Sequence, residues 1–157
     1  MASRVPSDTD LRAWRALMRV YSDVVDHLEA DLTEAERLPL AWYEVLVNLR
    51  LAGGAMRMHE LAEHLTLSRS AATRFVDRVE EAGFVERAIC PTDRRGMLVT
   101  LTDAGRKAQE RAAPITLRGI QKNFGNHLTA EQAEAVADAL ETVLQGQGKA
   151  ISANTER

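Results

Sequence analysis

Two short stretches hold the residues whose types and spacing suit chemistry best. Ser68-Arg69-Ser70 opens one of them, and Thr73-Arg74 and Arg78 follow on the same apolar-periodic segment. The other is Asp93-Arg94-Arg95-Gly96, in a polar turn. A guanidinium can donate paired hydrogen bonds to guanine O6 and N7 or to phosphate oxygens, and serine and threonine hydroxyls can donate or accept at either. Small residues at the start of a helix let its backbone approach base edges in a major groove. An aspartate in a tight turn accepts backbone N–H bonds or holds one arginine. The other arginine is then free for a narrow minor groove, where negative potential is focused. The candidate DNA-contacting residues are therefore Ser68, Arg69, Ser70, Thr73, Arg74, Arg78, Arg94 and Arg95, with Asp93 bracing the turn. Each stretch alone could be ordinary solvated surface. Their succession within residues 61–96 is what points to DNA.

Positioning these side chains takes a helix, a turn, a second helix and a hairpin. Leu61, Ala62 and Leu65 form the inner side of a short helix from Met58 to Leu65. Ser68 is placed to cap the next helix, whose inner stripe is Ala72, Phe75, Val76 and Val79 and whose left-handed stop is Gly83. Strands over Phe84–Ile89 and Met97–Leu101 flank the turn CPTDRRG. The pattern is a winged helix-turn-helix. Ahead of it, Leu11, Trp14, Leu17, Met18, Tyr21, Val24, Val25, Leu28 and Leu32 recur at steps of three and four, the mark of one long amphipathic helix that needs a second subunit to cover its stripe. A helix from Leu40 to Leu51 follows Pro39, and Gly53-Gly54 breaks the chain. Thr102 caps a further helix. Thr129-Ala130-Glu131-Gln132 is a capping box opening the last one, with Ala133, Val136, Ala137, Leu140, Val143 and Leu144 on one side.

Other chemistry finds less support. His59-Glu60-Leu61-Ala62-Glu63-His64 misses the spacing of a zinc-protease helix in both directions, so no metal is expected. No Ser/His/Asp arrangement or phosphate-cradling glycine loop occurs, so neither an enzyme nor a cofactor is expected. Cys90 lies at the base of the wing. A cation such as Arg87 beside it would favour its thiolate, but a small half-buried residue is the simpler reading. Trp14, Trp42 and Tyr43 are candidates to line a ligand pocket, with Arg15 or Arg50 to pair a carboxylate; aromatics on helical stripes are more often core.

The net charge of −3 speaks against a nonspecific DNA coat, and its distribution is local. Arg69 and Arg74 stand without an acid between Thr66 and Val76. Arg87, Arg94 and Arg95 face Asp93 alone between Arg87 and Leu101, while acids crowd the first helix. No apolar run is long enough to cross a membrane and the first residues carry no apolar signal segment. A single cysteine offers no internal disulfide, and the reducing cytoplasm is the expected compartment.

Residues 39–105 resemble the winged-helix core of the MarR (multiple antibiotic resistance regulator) family. The resemblance is carried by Leu61-Ala62, Leu65, Ser68-Arg69-Ser70, Thr73-Arg74, Val76-Asp77-Arg78, Glu81-Ala82-Gly83, Val85, Arg87, Asp93-Arg94-Arg95, Leu101-Thr102 and Gly105. It extends to the flanking long helices. It implies a mostly α fold with a small β-hairpin wing, in a triangular homodimer joined by its N- and C-terminal helices. It implies binding of a double-stranded, pseudopalindromic operator, mostly for repression, and release by a small phenolic or other aromatic effector. On that pattern Arg95 enters the minor groove, Asp93 braces the wing, and Ser68, Ser70, Thr73 and Arg74 face the major groove. The expected organisation is an N-terminal dimerisation helix over 1–38, the DNA-binding core over 39–105, C-terminal dimerisation helices over 106–146 and a flexible tail over 147–157. The competing class is a winged-helix dimer that binds a protein or small molecule and no DNA. Steep salt dependence of DNA binding separates the two.

Overall fold

The computed structural model describes residues 5–65, 67–90 and 93–148, with the backbone alone for Asp93, Arg94 and Arg95. Most of the expected tail, 149–157, lies outside the described residues. Two compact units result: described residues 32–115 form one, and 5–31 with 116–148 form the other.

The unit of residues 32–115 begins with the end of helix α1 (Asp8–Glu36) and continues through α2 (Leu40–Leu51), β1 (Ala55–Arg57), α3 (Met58–His64), α4 (Arg69–Glu81), β2 (Val85–Cys90) and β3 (Asp93–Leu101) into the start of α5 (Asp103–Asn123). Arg37 adopts a left-handed φ of 52° and its N–H donates to the Thr33 carbonyl, so α1 stops at Glu36, three residues before Pro39. Leu40, Tyr43, Val45, Leu46 and Leu49 bury α2 on more than one side. Leu32, Leu61, Val76, Val79, Val85, Val99 and Ala112 of the same unit are buried with them and complete the core.

The wing sheet has three strands, not the two of a plain hairpin. Its order is β1-β3-β2, all antiparallel, with Ala55 opposite Thr100 and Arg57 opposite Leu98 on one side of β3. On the other side Val85 faces Leu101 and Ile89 faces Met97. The Gly53-Gly54 break therefore leads into a strand, and the Gly54 carbonyl accepts from the Leu101 N–H at 2.8 Å. Strand β3 also starts at Asp93, four residues earlier than the apolar pattern alone marks.

Local signals in the sequence set the ends of α4. The Ser68 hydroxyl accepts from the Ala71 N–H at 3.3 Å. At the other end Gly83 has φ +80°, a conformation that a Cβ disfavours, and turns the chain directly into β2. Thr102 ties this corner to α5: its hydroxyl donates to the Gly83 carbonyl at 2.7 Å and accepts from the Gly105 N–H at 3.0 Å. A Cβ at Gly105 would overlap the Phe84 carbonyl oxygen, so α5 can start against β2 only through glycine.

The second unit holds most of α1, the end of α5, a 3-10 turn at Gly125–His127, and α6 (Ala130–Gly146). Leu28 on α1 packs where a Cβ on Gly119 of α5 would stand. The capping box forms, with the Thr129 N–H on the Gln132 carboxamide oxygen at 2.9 Å and the Gln132 N–H on the Thr129 hydroxyl at 3.3 Å. Otherwise this unit is open. Trp14, Leu17, Met18 and Tyr21 on α1, and Val136, Leu140 and Val143 on α6, are all exposed in the single chain.

Candidate nucleic-acid interface

Helix α4 presents the N-terminal candidates outward. Arg69, Ser70, Thr73, Arg74 and Arg78 are all exposed, while Ala72, Val76 and Val79 are buried beneath them. Arg69 and Arg74 make no ion pair with any described residue. Ser68 is exposed too, but its hydroxyl is engaged at the cap and lies 3.4 Å from that of Ser70. Thr73 donates its hydroxyl proton to the Arg69 carbonyl at 2.9 Å, which leaves the oxygen's lone pairs as acceptors. The Arg78 guanidinium stands 5.5 Å from the Phe75 ring centroid and is held along the helix by that cation–π contact.

Charge changes sign along this helix. At about 100° per residue, Ser70, Arg74, Asp77 and Glu81 fall on one outward row. The first two turns are neutral or basic, and Asp77, Glu80 and Glu81 make the end acidic. Phosphates are attracted to the beginning of α4 and repelled by its end, so a groove would take the N-terminal half.

Arg87 of β2 meets that acidic end. Its Nε donates to Glu80 at 2.8 Å, its terminal nitrogen reaches Asp77 at 2.6 Å and Glu80 at 2.7 Å, and its backbone N–H donates to the other Glu80 oxygen at 2.8 Å. Burial acts to lower the Arg87 pKa, but the hydrogen bonds and charges of Glu80 and Asp77 outweigh it and hold the pKa above its ordinary value. One side chain thus bridges two carboxylates beside the exposed helix face, offsets one of their two charges and fixes the helix to the wing. Charge counting along the sequence put Arg87 with the basic wing; the structure commits it to α4. The missed signal was a pair of acids three apart on α4 with an alternate-position arginine on the next strand.

Asp93, Arg94 and Arg95 are assigned by their backbone to the start of β3, and their side chains lie outside the described residues. Cys90 is buried at the end of β2. The four pocket candidates divide between the units. Trp14 and Arg15 are exposed on α1, whereas Tyr43 is buried in the core and Trp42 packs edge-on against Phe84 with ring centroids 6.0 Å apart. His59 and His64 are separately exposed on α3. Among the described residues no group of three or more His, Cys, Asp or Glu side chains could share a metal ion.

A short helix, a turn, an outward basic helix and a three-stranded wing locked to it define a winged helix-turn-helix protein. Residues 38–97 match the MarR family. The multiple antibiotic resistance protein MarR of Salmonella typhimurium is 30% identical over 65% of this chain and 70% of its own length. AbsC, a MarR family transcriptional regulator from Streptomyces coelicolor, superposes with a TM-score of 0.83 at 32% identity, covering 92% of this chain and 98% of AbsC. Sco3205, a MarR family transcriptional regulator of the same organism solved in complex with DNA, gives a TM-score of 0.83 at 30% identity, covering 92% of this chain and 91% of its own. The chain belongs to the MarR family.

Proposed function

We propose that this chain is a sequence-specific transcriptional regulator, a ligand-responsive repressor that binds a pseudopalindromic operator as a homodimer. The observation that carries this reading is the outward basic half of α4, held at a fixed angle to the wing by Arg87 on Asp77 and Glu80. Arg69, Ser70, Thr73 and Arg74 supply major-groove and phosphate contacts, Ser68 sets the helix start, and Arg78 reaches the backbone. Arg95 enters the minor groove, Arg94 adds a DNA contact and Asp93 braces the wing. The DNA-bound structure of Sco3205 supports the same use of the fold. Residues 39–105 act as the DNA-binding core, with residues 1–38 and 106–146 as the arms that pair two copies. Exposed Trp14, Tyr21 and Val143, at 59%, 62% and 55%, are what a second copy would cover. Two-fold symmetry sets recognition helices about one DNA turn apart, hence a site of roughly 16–20 bp.

The effector in this reading is a small aromatic or phenolic compound, with Trp14 and Arg15 available to it. The protein works in the cytoplasm and without catalysis; no described helix is long and apolar enough to cross a membrane. The test is binding of the purified protein to its own upstream DNA at two salt concentrations with unrelated DNA as competitor. Tight, salt-sensitive binding that survives the competitor is expected. Absence of specific binding to this duplex and to any selected from random sequence would overturn the reading. A panel of aromatic acids that changes neither tryptophan fluorescence nor DNA affinity would remove the effector.

A further inference from the structure

The wing carries an apolar pair that the fold does not use. Side chains alternate along β2, so Val85, Arg87 and Ile89 share one face. Across the ladder they stand opposite Leu101, Val99 and Met97. Arg87 reaches α4, so this face looks toward the recognition helix. Val85, Val99 and Leu101 are buried there, but Ile89 and Met97, one rung further out, are 65% and 41% exposed. Directly beyond them the register passes to Cys90 opposite Asp93, which leaves Arg94, Arg95 and Gly96 as a bulge. The apolar pair therefore lies on the face that Arg87 turns toward α4, one rung inside the bulge of residues 94–96.

We propose that Ile89 and Met97 form an apolar contact for deoxyribose rings of the operator, at the ridge between the grooves served by α4 and the wing. This rests on the DNA-binding reading above. A duplex lying across α4 and the wing bulge passes over this rung, and the groove walls offer sugar C–H surface between phosphates. An aliphatic pair cannot bond a phosphate, yet it gains by excluding water from a sugar. Its contribution adds affinity without releasing counterions.

That distinction makes the test. In the full chain, Ile89→Thr/Met97→Thr keeps strand-forming side chains at both positions, and Ile89→Val keeps most of the apolar surface. Binding to a duplex from the upstream region, or one selected from random sequence, is followed by fluorescence anisotropy between about 50 and 200 mM salt. The double variant should bind roughly five- to thirty-fold more weakly at every salt concentration. The slope of log affinity against log salt should stay unchanged, and Ile89→Val should fall within about twofold of the parent. Unchanged melting temperature shows that the fold is intact. If the parent binds tightly and the double variant matches it, or if the variant loses slope, the sugar contact is wrong while the regulator reading stands. If the parent binds no duplex, the regulator reading falls and this one with it.

Discussion

Replacing Arg87 with methionine removes the guanidinium from between Asp77 and Glu80 while keeping most of its aliphatic length. Three side-chain contacts of 2.6–2.8 Å are lost, and two carboxylates are left facing each other across the end of α4. Hydrogen bonds to charged groups contribute about 1.5–3 kcal/mol when buried. Here Arg87, Asp77 and Glu80 retain 24%, 40% and 32% side-chain exposure, so water screens part of that. A total loss of about 2–3 kcal/mol follows for Arg87→Met, equivalent to a fall of roughly 5–10 °C in melting temperature for a chain of this size. Melting must be compared at equal protein concentration, because dimerisation shifts it. The sharper assay is a double-mutant cycle of Arg87→Met with Glu80→Gln, for which a coupling energy of about 1–2 kcal/mol is expected. DNA affinity should fall at least about tenfold, since α4 loses its tie to the wing and gains uncompensated negative charge. Arg87→Lys, which keeps the charge without the planar fork, should recover only part of both. A melting shift under about 1 °C, or strictly additive single effects, would refute the clamp.

Arg74→Ala should cost about 1–3 kcal/mol on the preferred operator and relax base choice in a selection from random DNA, whereas Arg95→Ala should weaken binding strongly; unchanged affinity of both removes the site assignment. Gly105→Ala should destabilise by about 2–3 kcal/mol, because the new Cβ meets backbone rather than a movable side chain, and a melting temperature equal to the parent's would contradict that packing. Desolvation by surrounding protein atoms raises the pKa of the Glu44 carboxyl above the ordinary value although the residue is exposed, so the folded chain holds this proton more tightly than the unfolded chain. That stabilisation is complete below the ordinary carboxyl pKa and is lost as pH rises through the folded value. Glu44→Gln should therefore melt slightly higher than the parent near pH 7 and equally at acidic pH; a difference that persists in acid would contradict the assignment.

Much of α4 was legible because its signals are local. Ser68 caps within three residues, Gly83 stops within one, and the stripe of Ala72, Val76 and Val79 repeats inside one helix. Thr129 and Gln132 read each other across a single turn in the same way. Strand β1 was not legible. Ala55–Arg57 is too short for alternation to show, and it exists because β3, more than forty residues later, offers an edge. The Arg87 clamp hid for a related reason. Its partners lie seven and ten residues back across a turn, so a running tally of charge counts Arg87 with the basic wing while folding pairs it with α4. Whether Tyr43 lines a pocket or fills a core depends on packing from several elements, which its place on a helical stripe cannot decide.

On the proposed pairing of two copies through the bare apolar rows of α1 and α6, abundance becomes an input to control. A chain that must find its twin before it can span two half-sites populates the competent species as the square of its concentration while monomer predominates. Halving the protein then leaves a quarter of the competent form. Dilution at cell division, proteolysis of the arms, or a point change at Trp14 or Val143 would each be felt at the promoter more steeply than their effect on the protein itself. Occupancy would respond with the sharpness of a threshold, with no cooperativity needed between separate operators.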